Sequence, residues 1–141
     1  MRKFKFSLNK LLEFREQKEE SVKEELLMAQ KSLNVSEQQL HALEEEKKAA
    51  FNVSDFNVGK MQLQYHYILG LQQKIKETQA IVLKKQKVVN QVMSRMVEAQ
   101  KDRKVLEKLQ EKQHEQYLID EKHQEQKIID EIANRKKFSL F

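Results

Sequence analysis

The side chains able to do chemistry are four histidines and a large set of carboxylates and amines. The histidines are His41, His66, His114 and His123. A zinc pair on a helix needs two of them three or four residues apart, so that both imidazoles share one face. No two are so spaced. The carboxylates are interleaved with Lys and Arg along the chain, which describes solvated ion pairs rather than an acid and a base facing each other in a cleft. There is no cysteine, hence no disulfide and no thiolate ligand. A Gly-rich phosphate loop and a G-x-S-x-G elbow are also missing. The residues give no catalytic constellation, no cofactor and no metal site. The reading is of a protein that is not an enzyme.

What organises the chain is apolar spacing. Met61, Ile68, Ile75, Val82, Val89 and Met96 recur every seven residues. A period of seven keeps one stripe of an α-helix turned toward a partner helix, so these six are the expected structural seam. The second apolar row of that heptad is open between two sets. One is Tyr65, Gln72, Gln79, Gln86 and Met93. The other is Gln64, Leu71, Thr78, Lys85 and Val92.

Composition agrees. The 141 residues hold no Pro and two Gly, with 35% charged and 7% aromatic side chains. Sheets and compact α/β folds lean on Gly and Pro for their turns, whereas this balance is that of a coiled coil. One structural unit, residues 1–141, is expected from the length. The net charge of +5 sits in the middle third. Residues 1–50 carry 10 basic and 10 acidic groups, residues 51–97 carry 7 and 2, and residues 98–141 carry 10 and 10. Spread along a helix, that excess reads as a solvated face.

Taken in order, Met1 to Phe6 is short, basic and aromatic, and it lacks the apolar core of a signal peptide. Ser7 is a candidate N-cap. A three-four pattern then runs from Leu8 to Ala50, so helix 1 is expected over about residues 7–51. Asn52 to Gly59 gathers two Asn, one Ser, one Asp and one Gly within eight residues between two long periodic segments, and the reversal is placed at about 52–58. Helix 2 is expected over about 58–136. Gly70 lies inside it, and suits either a close approach near Leu40 and Leu43 or an open patch of backbone.

A short loop makes the two helices antiparallel. With the turn near residue 56, facing residues should have numbers adding to about 112. Leu43 then lies near Ile68, Val22 near Val89 and Leu8 near Lys104. Helix 1 thus runs out near Leu109, leaving an overhang of roughly 28 residues, about 42 Å long. The fold class is all-α: two long helices in an antiparallel coiled-coil hairpin with a C-terminal helical overhang. The overhang keeps Leu106, Leu109, Tyr117, Leu118, Ile119, Ile128, Ile129 and Ile132 among its charges. They serve either burial, against Phe4 and Phe6 or between molecules, or docking of another protein.

Two partner classes are disfavoured. A basic zipper needs a dense Lys/Arg block running into its heptads, but the densest cluster here, Lys84, Lys85 and Lys87, lies within them. Stacking aromatics interleaved with basic residues are missing too, so no nucleic acid is expected. No apolar run approaches the ~20 residues needed to cross a bilayer, so no direct membrane insertion is expected, and the protein is read as cytoplasmic.

Both ends resemble one family. Phe4-Lys-Phe6-x-Leu8-x-x-Leu11-Leu12-x-x-Arg15 is similar to the opening of FliJ, the small coiled-coil protein of flagellar type III export. Lys104-Val-Leu106-Glu107-Lys108-Leu109-x-Glu111-Lys112, then Tyr117, then Glu125-Gln126-Lys127-x-x-Asp130-Glu131-x-Ala133 is similar to the family's far end. Arg135 falls one residue earlier than the family spacing. The resemblance implies a non-enzymatic stalk in the ring of the flagellar export ATPase hexamer. It also implies contact with the export gate protein FlhA and escort of flagellar substrate chaperones, at the cytoplasmic face of the membrane. By motif, the gate-binding aromatic and the Leu four residues later fall on Tyr67 and Leu71, with Tyr standing where Phe is usual. The overhang residues Leu106, Leu109, Tyr117, Leu118, Ile128 and Ile132 become the ATPase-binding candidates. The rival reading is a generic coiled-coil scaffold or tether that homodimerises through the overhang.

Overall fold

A computed structural model describes residues 3–52 and 57–139, with side chains through residue 136. Two helices make up the described chain: α1, Asn9–Phe51, and α2, Val58–Ser139. They pack as an antiparallel all-α hairpin. With no Pro in the sequence, nothing interrupts the backbone ladder of either helix.

The helix ends follow from local chemistry. At the start of α1 the first i→i+4 bond runs from the Leu12 N–H to the Leu8 carbonyl at 2.9 Å. The cap position is therefore Leu8 and not Ser7, and an extra bond from the Asn9 N–H to the Phe6 carbonyl tightens the entry. α1 closes with the Asn52 N–H shared between the Lys48 and Ala49 carbonyls, both at 3.3 Å, the shared bonding common at helix termini. α2 opens on Asn57. Its carbonyl accepts from the Met61 N–H at 2.9 Å and its Oδ1 accepts from the Gly59 N–H at 3.0 Å. That is the N-cap arrangement Asn favours, with a side chain satisfying an otherwise orphaned N–H. The centre of the expected turn, residues 53–56, lies outside the described residues.

By compactness the chain divides into two units, Glu20–Glu98 and Met1–Glu19 with Ala99–Phe141. In the first, Val22, Leu33 and Ser36 of α1 are buried with Ile68, Leu71, Ile75, Val89 and Val92 of α2. Thr78, Val82, Lys85 and Met96 are half-buried. The second row of the heptad is thus the one containing Leu71 and Val92. Tyr65, Gln79, Gln86 and Met93 face outward.

Met61 departs from the seam, being 52% exposed. The reason is where α1 stops. The Gln64 amide already donates to the carbonyl of Ala50, next to the last residue of α1. One turn earlier, Met61 has no facing turn of α1 to pack on.

The pairing numbers also exceed the expected 112. They add to 114 at Ala50–Gln64, 120 at Glu25–Arg95 and 121 at Ser36–Lys85. Helical side chains lean toward their own N-terminus. In an antiparallel pair, long side chains on both helices then meet partners numbered higher than those at their own level, and Lys and Arg lean furthest.

Ser36 is the most buried side chain, 2% exposed. Its hydroxyl accepts from the Lys85 ammonium at 2.6 Å, which also reaches the Ser32 carbonyl at 3.3 Å. A satisfied polar layer in an apolar seam costs stability and fixes register, because sliding the helices would strand the ammonium. Gly70 has the opposite character. A Cβ built there meets nothing within 4 Å, so no close approach to Leu40 or Leu43 accounts for it. Gly70→Ala should stabilise the hairpin by about 1 kcal/mol through helix propensity alone, read as a higher thermal midpoint by circular dichroism. A lowered midpoint would mean that the open face is wrongly placed.

Candidate functional site: the exposed stretch of α2

The second unit is built around Phe6, Leu12 and Leu106, all buried, with Phe4 and Leu109 packed against them. Charged side chains hem this core. Arg103 bonds Glu19 of α1 and, at 2.7 Å, Glu107 one turn on. These two hydrogen bonds, Glu107 first, hold the Arg103 guanidinium above its ordinary pKa, so it is charged at any working pH. Arg15 meets Asp102 at 3.3 Å.

Residues 3–8 carry the core one step further along α2 than α1 itself reaches. The Phe4 ring stands edge-on to His114, centroids 4.9 Å apart, and tilted against Tyr117 at 5.5 Å. Such ring pairs prefer these offset geometries. Among the described residues, the stretch of α2 whose side chains are all exposed therefore starts near Lys122 and not at Leu109. Leu106 is 8% exposed, Leu109 is half-buried against the core, and Tyr117 is half-buried against Phe4.

From Lys122 to Lys136 every residue is exposed. Leu118, Ile128 and Ile132, together with Ile119 and Ile129, each show about half of their surface. At 100° per residue, Leu118, Ile128, Ile129 and Ile132 fall within an arc of about 100°, a stripe wide enough to enter a complementary surface. Between Lys122 and Lys136 there are four basic and three acidic residues. The chemistry offered is apolar docking with little net charge. Among the described residues no group of His, Asp or Glu is arranged to hold a metal ion. No described helix is long and apolar enough to cross a membrane.

The two gate-binding candidates separate. Leu71 is 3% exposed and belongs to the seam of the Glu20–Glu98 unit. Tyr67 is 48% exposed, and its hydroxyl donates to the Glu46 carboxylate of α1. That bond, ahead of the desolvation there, raises the phenol above its ordinary pKa. Leu63, four residues before Tyr67 and so on the same side of α2, is 72% exposed. Leu71 anchors the helix beneath Tyr67 without offering a surface of its own.

Sequence reasoning missed three contacts. His114 has no metal-ligand spacing and carries no role in the sequence, yet it is a ring partner of Phe4. Lys85 sat in the correct row but reads as a charge, and only its bond to Ser36 explains its place. Asn57 was one of several turn formers, and its cap role was available from residue type alone.

The family model described as Flagellar FliJ protein matches residues 4–138. No curated protein and no solved structure matches the chain.

Proposed function

Since the chain belongs to the FliJ family, and is thereby a flagellar export component, we propose that it acts as a stalk that inserts α2 into the ring of the export ATPase. The observation that supports this is the bare stretch beyond Glu121, with Ile128, Ile129 and Ile132 between 51% and 58% exposed. Isoleucines so placed gain free energy only when a partner covers them. A ring offers an enclosing sleeve, and a nearly neutral helix enters it without a charge penalty. Assembly of the ATPase hexamer, measured with the full chain and with a chain ended after Lys122, is the test.

The same protein would contact the gate protein FlhA and escort flagellar substrate chaperones at the cytoplasmic face of the membrane. For the gate, the exposed pair on offer is Tyr67 with Leu63, while Leu71 supports them from the seam. Tyr67→Ala combined with Leu63→Ala should weaken binding to the gate's cytoplasmic domain and leave helicity unchanged. Leu71→Ala should instead lower the thermal midpoint, since truncating a buried Leu costs about 2–5 kcal/mol. If Leu71→Ala weakens gate binding without any loss of stability, Leu71 reaches the gate directly and this division of roles is wrong.

A further inference from the structure

Residues 3–8 lie outside α1 and are attached to α2 by side chains alone. Among the described residues none of their backbone groups bonds to α2. The Phe6 carbonyl is spent on Asn9 and the Leu8 carbonyl on Leu12. Phe6 is the deep anchor, 7% exposed in the core with Leu12 and Leu106. Phe4 is the shallow one, partly buried at the edge of that core and flanked by the His114 and Tyr117 rings. Open clefts flank it. One, of about 420 Å³, is lined by Lys3, Lys5, Gln113 and Asp120, and another, of about 440 Å³, by Phe6, Asn9 and Gln110. A segment gripped at one shallow point between two clefts can lift there while its deep anchor stays seated.

The face under Phe4 is continuous with the bare one. Steps of four and three residues lead from His114 through Leu118, Glu121 and Glu125 to Ile128 and Ile132. Such steps keep to one side of a helix. A partner that grips Ile132 and Ile128 and advances along this side arrives at Phe4.

We propose that residues 3–8 form a detachable strap that competes with the export ATPase for the His114–Tyr117 face of α2. The inference rests on the stalk reading above and adds its regulation. The ATPase first engages the bare residues, and full insertion replaces Phe4 with an apolar side chain of the ring. Phe6 stays in the core, so the unit remains folded throughout. The apparent dissociation constant is then the intrinsic one divided by the fraction of molecules with the strap lifted.

Two variants of the full chain push that fraction in opposite directions. Phe4→Ala frees the strap, and ATPase binding should tighten by about three- to tenfold. The sequence has no cysteine, so Lys5→Cys with Gln113→Cys, which face the same cleft, can be joined by a short bis-maleimide. The joined form should bind at least about tenfold more weakly than the same protein left unjoined. The rate of trypsin cleavage after Lys3, which needs residue 4 lifted and leaves Phe6 seated, reports strap opening without any ATPase, and it should rise in Phe4→Ala. Weaker binding by Phe4→Ala would make Phe4 part of the docking surface and overturn the competition. So would a joined form that binds as well as the unjoined one, or an unchanged trypsin rate. If the wild-type chain fails to bind the ATPase at all, the stalk reading falls and the competition with it. A raised trypsin rate in Phe4→Ala would identify that case as a failure of the partner and not of the strap.

Discussion

Ending the chain after Lys122 is expected to abolish its stimulation of export ATPase assembly, and motility with it, while leaving a folded hairpin. The two halves of that expectation come from the same observation. No residue between Lys122 and Lys136 is even half-buried, so removing them takes no apolar area out of either core. Mean helicity per residue should hold, and the thermal midpoint should move by little, because helical turns whose side chains bury nothing add little to global stability. The loss falls on Ile128, Ile129 and Ile132, whose half-exposed surfaces are the anchors for an apolar sleeve. A cut after Lys108 is a different experiment. It strips His114 and Tyr117 from Phe4 and Leu109 from the core of Phe6, Leu12 and Leu106, so it should lower the midpoint as well as the activity. Comparing the two cuts separates docking from folding.

The intact chain's binding should also depend only shallowly on salt between about 0.1 and 0.5 M, since four basic against three acidic residues leave little charge to screen. If the chain ended at Lys122 assembles the hexamer as well as the full chain does, the bare stretch is not the stalk. A solution dimer that dissociates on the same cut would then favour the scaffold reading.

How much of this was legible in the sequence varies with the range of the interaction. Helix type, direction and the two ends at the turn are readable because they rest on period and local turn formers. α1 ends at Phe51 and α2 begins at Val58, as Asn52 and Asn57 bracket them. The choice between second rows was not readable. Leu71 and Val92 are apolar but Thr78 and Lys85 are not, and only the Ser36 hydroxyl opposite Lys85 makes that row fit the interior. The start of the exposed stretch lies about three and a half turns beyond its expected place for a similar reason. Helical pairing alone puts it at Leu109, where α1 runs out. Phe4 and Phe6 extend the partner side by a non-helical segment, and nothing periodic announces where such a segment lies. Burial against these two phenylalanines is one of the options the overhang's apolar residues leave open in the sequence. Distance from the seam likewise could not be read for Leu71. Its motif position and its row position made opposite demands, and packing against α1 decides for the row.

The seam itself is tested most sharply at Val89, which is 4% exposed and central in the heptad row. Val89→Asp would set a carboxylate at a buried position of the seam. Lys85, one turn earlier on α2, is already committed to Ser36 and the Ser32 carbonyl. Burial of an unpaired charge is relieved by protonation, so the introduced carboxyl should titrate above the ordinary Asp value. The net cost at neutral pH should be about 3–5 kcal/mol, against a total stability of order 5–15 kcal/mol for a domain. A drop in thermal midpoint of roughly 10 °C or more follows. The sign with pH is fixed by the same shift. A carboxyl whose folded pKa lies above its unfolded one of about 3.9 is better tolerated once protonated, so the gap between variant and wild type should narrow as pH falls through the raised value. Lys87, two residues away, is exposed and makes no ion pair among the described residues. Lys87→Asp should therefore shift stability by no more than about 0.5 kcal/mol, the usual range for an exposed site. Equal midpoint shifts for the two variants, or a Val89→Asp gap that widens toward acid pH, would remove Val89 from the interior and the heptad register with it.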